Sequence, residues 1–150
     1  MAAPVGTTIA DLSVQLHTGE MTTLSVLAGG KKLVVFFYPK AFTTGCTAQA
    51  CNFRNLAQEF DDVGAVRVGV SRDSVDRQAK FAAENAFDFP LIADTDGTVA
   101  QAFGAKRAGP IPHRRHTYVL DETLTVQHVI RDEIRMDRHA DDALAVLTNA

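Results

Sequence analysis

Hydrophobic and polar positions alternate near the N-terminus and then give way to a continuous apolar run. Leu12, Val14 and Leu16 alternate with polar residues, which predicts a half-buried strand that turns at the sequence HTGE. The run LVVFFY, residues 33–38, contains only apolar, aromatic or β-branched side chains, a pattern typical of a strand buried on both faces. The sequences AVRVGV and FPLIAD predict two further short strands.

Helical spacing appears between and after these strands. Behind Asp73 and Ser74, which can cap a first turn, a helical face is predicted from Val75, Ala79, Ala82, Ala83 and Ala86. TVAQAF predicts a short helix that ends at Gly104, and HTYVLDETLTVQHVI predicts two alternating strands joined near residues 121–123. A last helix would place Ala140, Ala143, Leu144 and Leu147 on one face. This order predicts an α/β fold, with a sheet partly parallel and partly antiparallel and helices on both faces.

Composition and charge limit the classes of protein. The chain has 150 residues, 46% of them hydrophobic, and no repeat or linker that would divide it, so residues 1–150 are predicted to form one domain. A net charge of −3 argues against a general nucleic-acid binder. The N-terminal sequence lacks a secretory signal pattern, and no stretch approaches the roughly eighteen apolar residues of a membrane span. We therefore expect a cytoplasmic protein without a membrane segment, in which a disulfide would be a catalytic or sensing intermediate.

Both cysteines lie in the stretch PKAFTTGCTAQAC that follows the apolar run. A helix is predicted from about Gly45 to Asp62, with an inward stripe made of Cys46, Ala50, Phe53, Ala57 and Phe60. Cys51 lies about 140° around that helix from Cys46. Its predicted neighbours on the exposed face are Arg54, Asn55, Gln58 and Asp62. The two thiols therefore have different predicted environments.

The predicted position of Cys46 suggests a nucleophile. Unpaired N–H groups and the dipole at a helix N-terminus favour an anion, so Cys46 should react as the thiolate. The hydroxyl of Thr43 could lie within reach of the sulfur, and Pro39 would close the strand and shield one side of the site. A lone cysteine on an apolar helix face is, however, usually a small buried hydrophobic residue, and that alternative stays open.

The spacing of the cysteines also constrains any disulfide between them. In an intact helix the Cα atoms of Cys46 and Cys51 would be about 8.7 Å apart. A disulfide needs a Cα separation of about 4.4–6.8 Å. A bond between them would therefore require the first turns of the helix to unwind, which suits an intermediate in a cycle better than a structural crosslink.

These residues also carry a resemblance to a known family. PKAFTTGC matches the Pro-x-x-x-Thr-x-x-Cys signature of peroxiredoxins, and GCTAQAC after FFYP resembles their Q-type branch, the bacterioferritin comigratory proteins. The segments IADLSVQLHTGEMTTLS, VGVSRDSVDRQAKFA and RHTYVLD are similar to further parts of that family. The resemblance implies a thioredoxin-like fold with an N-terminal β-hairpin, and a peroxidase that needs neither a cofactor nor a metal.

The resemblance also implies roles for individual residues. Cys46 would be the peroxidatic cysteine and Cys51 the resolving cysteine, while Thr43 and Arg115 would position the peroxide. The implied partners are a peroxide substrate and thioredoxin or a similar dithiol reductant, and the implied oligomeric state is a monomer. Without the family, Arg114 and Arg115 together with Lys106 and Arg107 would be interpreted as a solvated basic rim; the family spacing to Thr117 selects Arg115.

The sequence departs from the family pattern at several positions. Thr44 stands where this branch usually has proline, Phe42 where it has a small or polar residue, and Ala10 and Leu12 replace the usual proline and phenylalanine. Thr44 could loosen the active turn, and Phe42 could make the entrance more apolar and favour organic hydroperoxides. These departures remove no reacting group.

Other kinds of site are disfavoured. The five histidines are expected mostly at the surface, and neither a Cys-x-x-Cys nor a His-x-x-x-His pair supports zinc. No glycine-rich phosphate loop indicates a nucleotide. Two alternatives to the enzyme remain: a thiol redox sensor that uses the same disulfide, and a non-catalytic thioredoxin-fold binding module. Repeated turnover with a reductant would distinguish the enzyme from both.

Overall fold

The computed structural model describes residues 2–109 and 111–149. In chain order the elements are β1 (Ser13–Gln15), β2 (Met21–Thr23), α1 (Leu24–Ala28), β3 (Lys32–Phe37), α2 (Thr44–Asn55), α3 (Ala57–Asp62), β4 (Ala65–Ser71), α4 (Val75–Glu84), β5 (Leu91–Ala93), α5 (Thr98–Phe103), β6 (His116–Leu120), β7 (Val126–Arg131) and α6 (Asp137–Thr148). Within the described ranges, no helix has the length and apolar character needed to cross a membrane.

The centre of the molecule is a five-stranded mixed sheet in the order β5-β4-β3-β6-β7. Strands β3, β4 and β5 run parallel, whereas β6 pairs antiparallel with both β3 and β7. Strands β1 and β2 form a separate antiparallel hairpin, which a bridge from Leu16 to Ile92 joins to the sheet. The predicted mixed sheet and the N-terminal hairpin are thus confirmed.

Alternation along β3 divides the interior into two apolar clusters, one on each face of the sheet. Val35 and Phe37 point to the face covered by α1 and α5. Val34 and Phe36 point to the opposite face, which α2, α3, α4 and α6 cover and which contains Cys46. Gly69 of β4 leaves room for this arrangement, because a Cβ atom there would lie 2.8 Å from the ring of Phe36. Helices therefore cover both faces, as the sequence predicts.

The prediction of one helix from Gly45 to Asp62 is wrong in one respect. The structure has two helices there, α2 and α3, which are separated at Leu56. The Arg67 guanidinium of β4 donates to the Phe53 carbonyl at 2.7 Å and so occupies an acceptor that a continuous helix would use. The predicted stripe largely survives the break. Cys46, Ala50, Phe53 and Phe60 are buried, and Ala57 is half-buried.

The predicted inner face of α4 is also partly wrong. Its buried residues are Gln78, Phe81 and Ala82, whereas Ala83 is exposed and Ala86 is exposed beyond the helix end. The large ring of Phe81 packs against Tyr38 and Phe87 and thereby sets the face that α4 turns inward. Ser74 caps the helix as predicted, because its hydroxyl accepts from the Arg77 N–H at 3.2 Å.

Candidate active site

Cys46 lies in the first turn of α2 and is fully buried. The Thr47 N–H is bonded back to the Thr43 carbonyl at 2.9 Å, which closes the first turn around Thr44, Gly45 and Cys46. The N–H groups of a first turn lack partners within the helix, and together with the dipole they make this end of the helix electropositive. The Cys46 thiol therefore lies at the electropositive end of α2.

Two donors approach the sulfur of Cys46 from outside the helix. Arg115 Nη1 and the Lys40 backbone N–H each lie 3.5 Å from Sγ. The same Nη1 donates to Gln49 Oε1 at 2.6 Å, and the Gln49 amide donates to the Phe37 carbonyl at 3.5 Å. Gln49 thus fixes the guanidinium against the sulfur, and both side chains are buried. The guanidinium thus places a fixed positive charge and an N–H donor beside the sulfur.

Arg115 keeps donor capacity for a further ligand. Its Nε atom is buried and has no hydrogen-bond partner among the described residues. Its backbone N–H donates to Glu133 Oε2 at 2.8 Å, which fixes the start of β6. The absence of a side chain at Gly45 keeps the site open, since a Cβ atom there would lie 3.3 Å from Met136 Sδ and 3.4 Å from Arg115 Nη2. Arg115 therefore retains one N–H donor that is buried and unused.

The other residues predicted for the site lie in the loop between β3 and α2. Thr43 is exposed, and its hydroxyl donates to the Lys40 carbonyl at 2.8 Å. Pro39 is half-buried and follows the end of β3. Arg114 is exposed, so the structure brings Arg115 rather than its neighbour to Cys46.

The loop before Cys46 is attached to the N-terminal end of α4. The Ala41 N–H donates to Asp73 Oδ2 at 2.8 Å, and Arg77 donates both to Asp73 Oδ1 at 3.0 Å and to the Ala41 carbonyl at 3.2 Å. The Arg77 guanidinium also lies 5.1 Å from the ring centroid of Phe42. Asp73 therefore binds this loop and does not cap α4. Of the two predicted capping residues, Ser74 is correct and Asp73 is not.

Cys51 lies further along α2 and is half-buried. It lies on the predicted solvent-facing side of the helix, where Asn55, Gln58 and Asp62 are exposed. Its thiol donates to Asn85 Oδ1 at 3.6 Å, just beyond the end of α4. Arg54 donates to the Asn85 carbonyl at 2.8 Å and fixes the same contact. Both cysteines are free thiols within the uninterrupted helix α2, so the helical separation of about 8.7 Å between their Cα atoms applies.

The expectation that the histidines lie mostly at the surface is wrong, because His113, His116 and His139 are buried. His139 donates from Nε2 to the Asp132 carbonyl and accepts from the Thr117 hydroxyl at Nδ1. Burial lowers the pKa of His139, and it lowers the pKa of His116 to about 4, so both rings are neutral near pH 7. The described part of the chain contains no group of three His, Cys, Asp or Glu side chains arranged to hold a metal.

Sequence reasoning missed two residues of the site. Gln49 is not among the predicted site residues, although it is a polar residue three positions after Cys46, beside the apolar stripe of α2. That position is the signal that could have found it, because a buried amide requires a polar partner. Asp73 was assigned to a cap, and no local pattern connects it to Ala41.

Comparison with known proteins identifies the family of this chain. Residues 5–129 match the AhpC/TSA family, and the chain belongs to that family. The Mycobacterium tuberculosis peroxidoxin BcpB has a crystal structure that matches with a TM-score of 0.94 at 49% identity, covering 97% of this chain and 96% of that one. A structure of the Xanthomonas campestris bacterioferritin comigratory protein, described for its alkyl peroxide reduction activity, matches with a TM-score of 0.85 at 35% identity, covering 99% and 98% of the two chains.

Among curated sequences, the chloroplastic peroxiredoxin Q of Sedum lineare is 35% identical over 144 residues, which span 95% of this chain and 76% of the relative. The predicted likeness to peroxiredoxins and to their Q-type or Bcp branch is therefore confirmed. The thioredoxin-like fold and the class of enzyme, a thiol peroxidase, are confirmed with it.

Proposed function

We propose that this chain reduces hydrogen peroxide and organic hydroperoxides through Cys46. The thiolate attacks the distal oxygen of ROOH, the O–O bond breaks, and the remaining oxygen leaves as ROH after it takes a proton. Cys46 becomes a sulfenic acid. The observation that carries the proposal is the contact of Arg115 Nη1 and the Lys40 N–H with Sγ at the electropositive end of α2.

In this proposal, most of the rate enhancement comes from stabilising the oxygen that develops negative charge. Arg115 supplies that stabilisation through donors that Gln49 holds in place. The Thr43 hydroxyl already donates its proton to the Lys40 carbonyl, so its oxygen is left to accept the hydrogen of ROOH. Pro39 shields the side of the site nearest β3. Reorganisation is small because these groups are in place before the peroxide arrives.

The second step of the proposed cycle joins Cys46 to Cys51. The Cys51 thiol attacks the sulfenic sulfur, an S–S bond forms, the S–O bond breaks, and the hydroxyl leaves as water with the thiol proton. Because the two Cα atoms are about 8.7 Å apart in a helix, the first turns of α2 must unwind. An external dithiol then reduces the disulfide. Members of the family use thioredoxin-like reductants, and we propose thioredoxin or a similar dithiol protein for this chain.

Organic hydroperoxides are proposed as substrates because apolar side chains border the site. Phe42 is 39% exposed in the loop before Cys46, and the Met136 thioether lies close to Gly45. The Xanthomonas campestris relative is described for alkyl peroxide reduction. We further propose that the chain acts as a single-domain monomer in the reducing environment of the cytoplasm, where a dithiol reductant is available.

The same unwinding of α2 would suit a redox sensor, because oxidation of the two cysteines would change the conformation of the helix that contains them. The two functions differ in turnover. An enzyme consumes many equivalents of peroxide in the presence of a dithiol reductant, whereas a sensor is oxidised once for each signal. Peroxide consumption limited to one equivalent per chain would favour the sensor.

The experiment that tests the proposed function is the intact mass of the reduced protein after one equivalent of hydrogen peroxide. The wild type should lose about 2 Da as a disulfide forms, and Cys51→Ser should gain about 16 Da as the sulfenic acid accumulates. Cys46→Ser is the control and should not change on the same timescale. An unchanged mass in the wild type over minutes would show that Cys46 is an ordinary buried thiol.

A further inference from the structure

We propose that Arg77 is a positioning residue that holds the loop before Cys46 and thereby limits the rate at which oxidised Cys46 reaches Cys51. This inference rests on the proposed function, because it concerns the step between the sulfenic acid and the disulfide. Arg77 lies on α4 and belongs to neither the sulfur contacts nor the donors around Arg115.

Helix α4 contacts the segments of both cysteines, one at each of its ends. At its N-terminal end, Asp73 and Arg77 bind the backbone N–H and carbonyl of Ala41. Just beyond its C-terminal end, Asn85 accepts from the thiol of Cys51. In the proposal, movement of Cys46 toward Cys51 releases the contacts at the N-terminal end of α4.

The loop conformation that Arg77 holds is one that the chain does not favour by itself. Phe42 has a φ of +68°, a left-handed conformation that costs energy for any residue with a bulky side chain. Its ring is held between the Arg77 guanidinium, 5.1 Å from the ring centroid, and Phe81, with centroids 5.3 Å apart. Loss of the Arg77 contact lets Phe42 return to an ordinary conformation and moves the start of α2 with it.

The ion pair of Arg77 is asymmetric, and this makes the residue suitable for a test. The side chain of Arg77 is 45% exposed, whereas that of Asp73 is only 5% exposed. Asp73 also accepts from the Ser71 hydroxyl at 2.6 Å and from the Ala41 N–H, so it keeps two partners when Arg77 is replaced. Replacement of Arg77 therefore weakens the loop attachment and removes the ion pair, but the buried carboxylate keeps its hydrogen-bond donors Ser71 and Ala41.

The sulfenic acid has two competing fates, and Arg77 changes the balance between them. Condensation with Cys51 releases water and needs the first turns of α2 to unwind and the loop before them to detach from α4. Attack by a second hydrogen peroxide needs no unwinding, gives a sulfinic acid and also releases water. A loop held in place therefore prolongs the life of the sulfenic acid and exposes it to the second peroxide.

The test compares Arg77→Gln with the matched control Lys80→Gln, which removes a positive charge from an exposed position of the same helix. Stopped-flow measurements follow disulfide formation in the chain with both cysteines, and sulfenic acid formation in the Cys51→Ser background. Arg77→Gln should speed disulfide formation about three- to tenfold, as expected for one partly exposed cation–π contact and ion pair. The fraction of sulfinic acid at high peroxide should fall by a similar factor, and Lys80→Gln should match the wild type.

A double-mutant cycle shows whether Arg77 acts through the Phe42 ring. In a Phe42→Leu background, Arg77→Gln should have a smaller effect on disulfide formation than in the wild type. Three outcomes would overturn the inference: an unchanged rate of disulfide formation in Arg77→Gln, a slower one, or a loss of more than about tenfold in the first oxidation of Cys46, which would place Arg77 at the peroxide itself. Failure of the proposed function is distinguishable, because Cys51→Ser would then gain no mass.

Discussion

The two ends of α2 are attached to the rest of the molecule by different kinds of contact. At the Cys46 end the preceding loop is attached to α4 by polar contacts: a hydrogen bond to the buried Asp73, and a hydrogen bond and a cation–π contact from the partly exposed Arg77. At the other end, the Phe53 ring stacks on Phe36 with centroids 4.1 Å apart, and the Phe53 carbonyl accepts from the buried Arg67. Contacts made by partly exposed polar side chains open more readily than buried aromatic stacking. One helix thus combines an end that can be released with an end that is anchored.

Cys51 lies between these two ends, and its position limits how much of the helix needs to open. The aromatic anchor at Phe53 begins two residues after Cys51. Unwinding of the turns from Thr44 to Cys51 can therefore bring the sulfurs together while Phe53 stays packed. We expect different consequences for substitutions at the two ends. A substitution at the Phe53 end should lower the stability of the fold, and a substitution at the Cys46 end should change the rate of the reaction.

The largest expected effect belongs to the anchored end. Phe53→Ala removes a fully buried ring that contacts Phe36 and Phe60, and it should lower the free energy of unfolding by about 3–5 kcal/mol. Denaturant unfolding measures this loss, with Phe53→Leu as the control that keeps most of the packing. The rate of Cys46 oxidation per folded molecule should change little. A loss of oxidation comparable to the one expected for Arg115 would contradict the separation of the two ends.

The second-largest expected effect is a lower rate of peroxide reduction after a substitution at the Cys46 end of α2. Arg115→Ala removes the guanidinium from Sγ and should lower the rate constant for peroxide about 10²–10³-fold, as for the loss of one preorganised donor to a developing negative charge. It also leaves Gln49 Oε1 without its partner, so a smaller loss of stability, about 1–3 kcal/mol, is expected. Stopped-flow oxidation and denaturant unfolding separate the two effects. Arg114→Ala is the control, because this exposed neighbour should leave the rate unchanged.

The smallest expected effect concerns the start of the helix. Thr44 is the first residue of α2, where proline is well tolerated, and Thr43 before it has φ −76° and ψ 152°, a conformation that also suits a residue before proline. Thr44→Pro should therefore stabilise the folded protein by about 0.4–1 kcal/mol. It should also slow disulfide formation severalfold, because unwinding becomes less favourable. Faster disulfide formation in this variant would show that the first turn does not limit the step.

The features that could be predicted from the sequence are those whose signals are local. The apolar run at residues 33–38 predicts the buried strand β3. The short segment between this run and the apolar stripe of α2, which begins at Cys46, predicts that Cys46 lies in the first turn of the helix. Family spacing was needed to select Arg115, since Arg114 carries the same charge in the same segment. The roles of Cys46, Cys51, Thr43, Arg115 and Pro39 stay predictions until they are measured.

The features that could not be predicted depend on partners distant in the chain. The break at Leu56 depends on Arg67, which reaches the Phe53 carbonyl from another strand. The burial of Gln49 depends on Arg115, which is 66 residues away. The buried His139 is compensated by the Thr117 hydroxyl, 22 residues away. Periodicity and local composition carry no information about such pairings, because the fold brings the partners together.

Because α2 is continuous across both cysteines, each proposed turnover includes local unfolding and refolding of its first turns. Helix–coil relaxation in peptides takes about 0.1–1 μs, far faster than typical catalytic cycles of about 10 s⁻¹. Restoring the helix after reduction of the disulfide is therefore not expected to limit the cycle. In the proposed cycle, the steps that can limit the rate are the release of the side-chain contacts that hold Ala41 and Phe42 and the encounter with the reductant. An enzyme built in this way can change its catalytic timing through surface residues while the reacting sulfur and its donors stay the same.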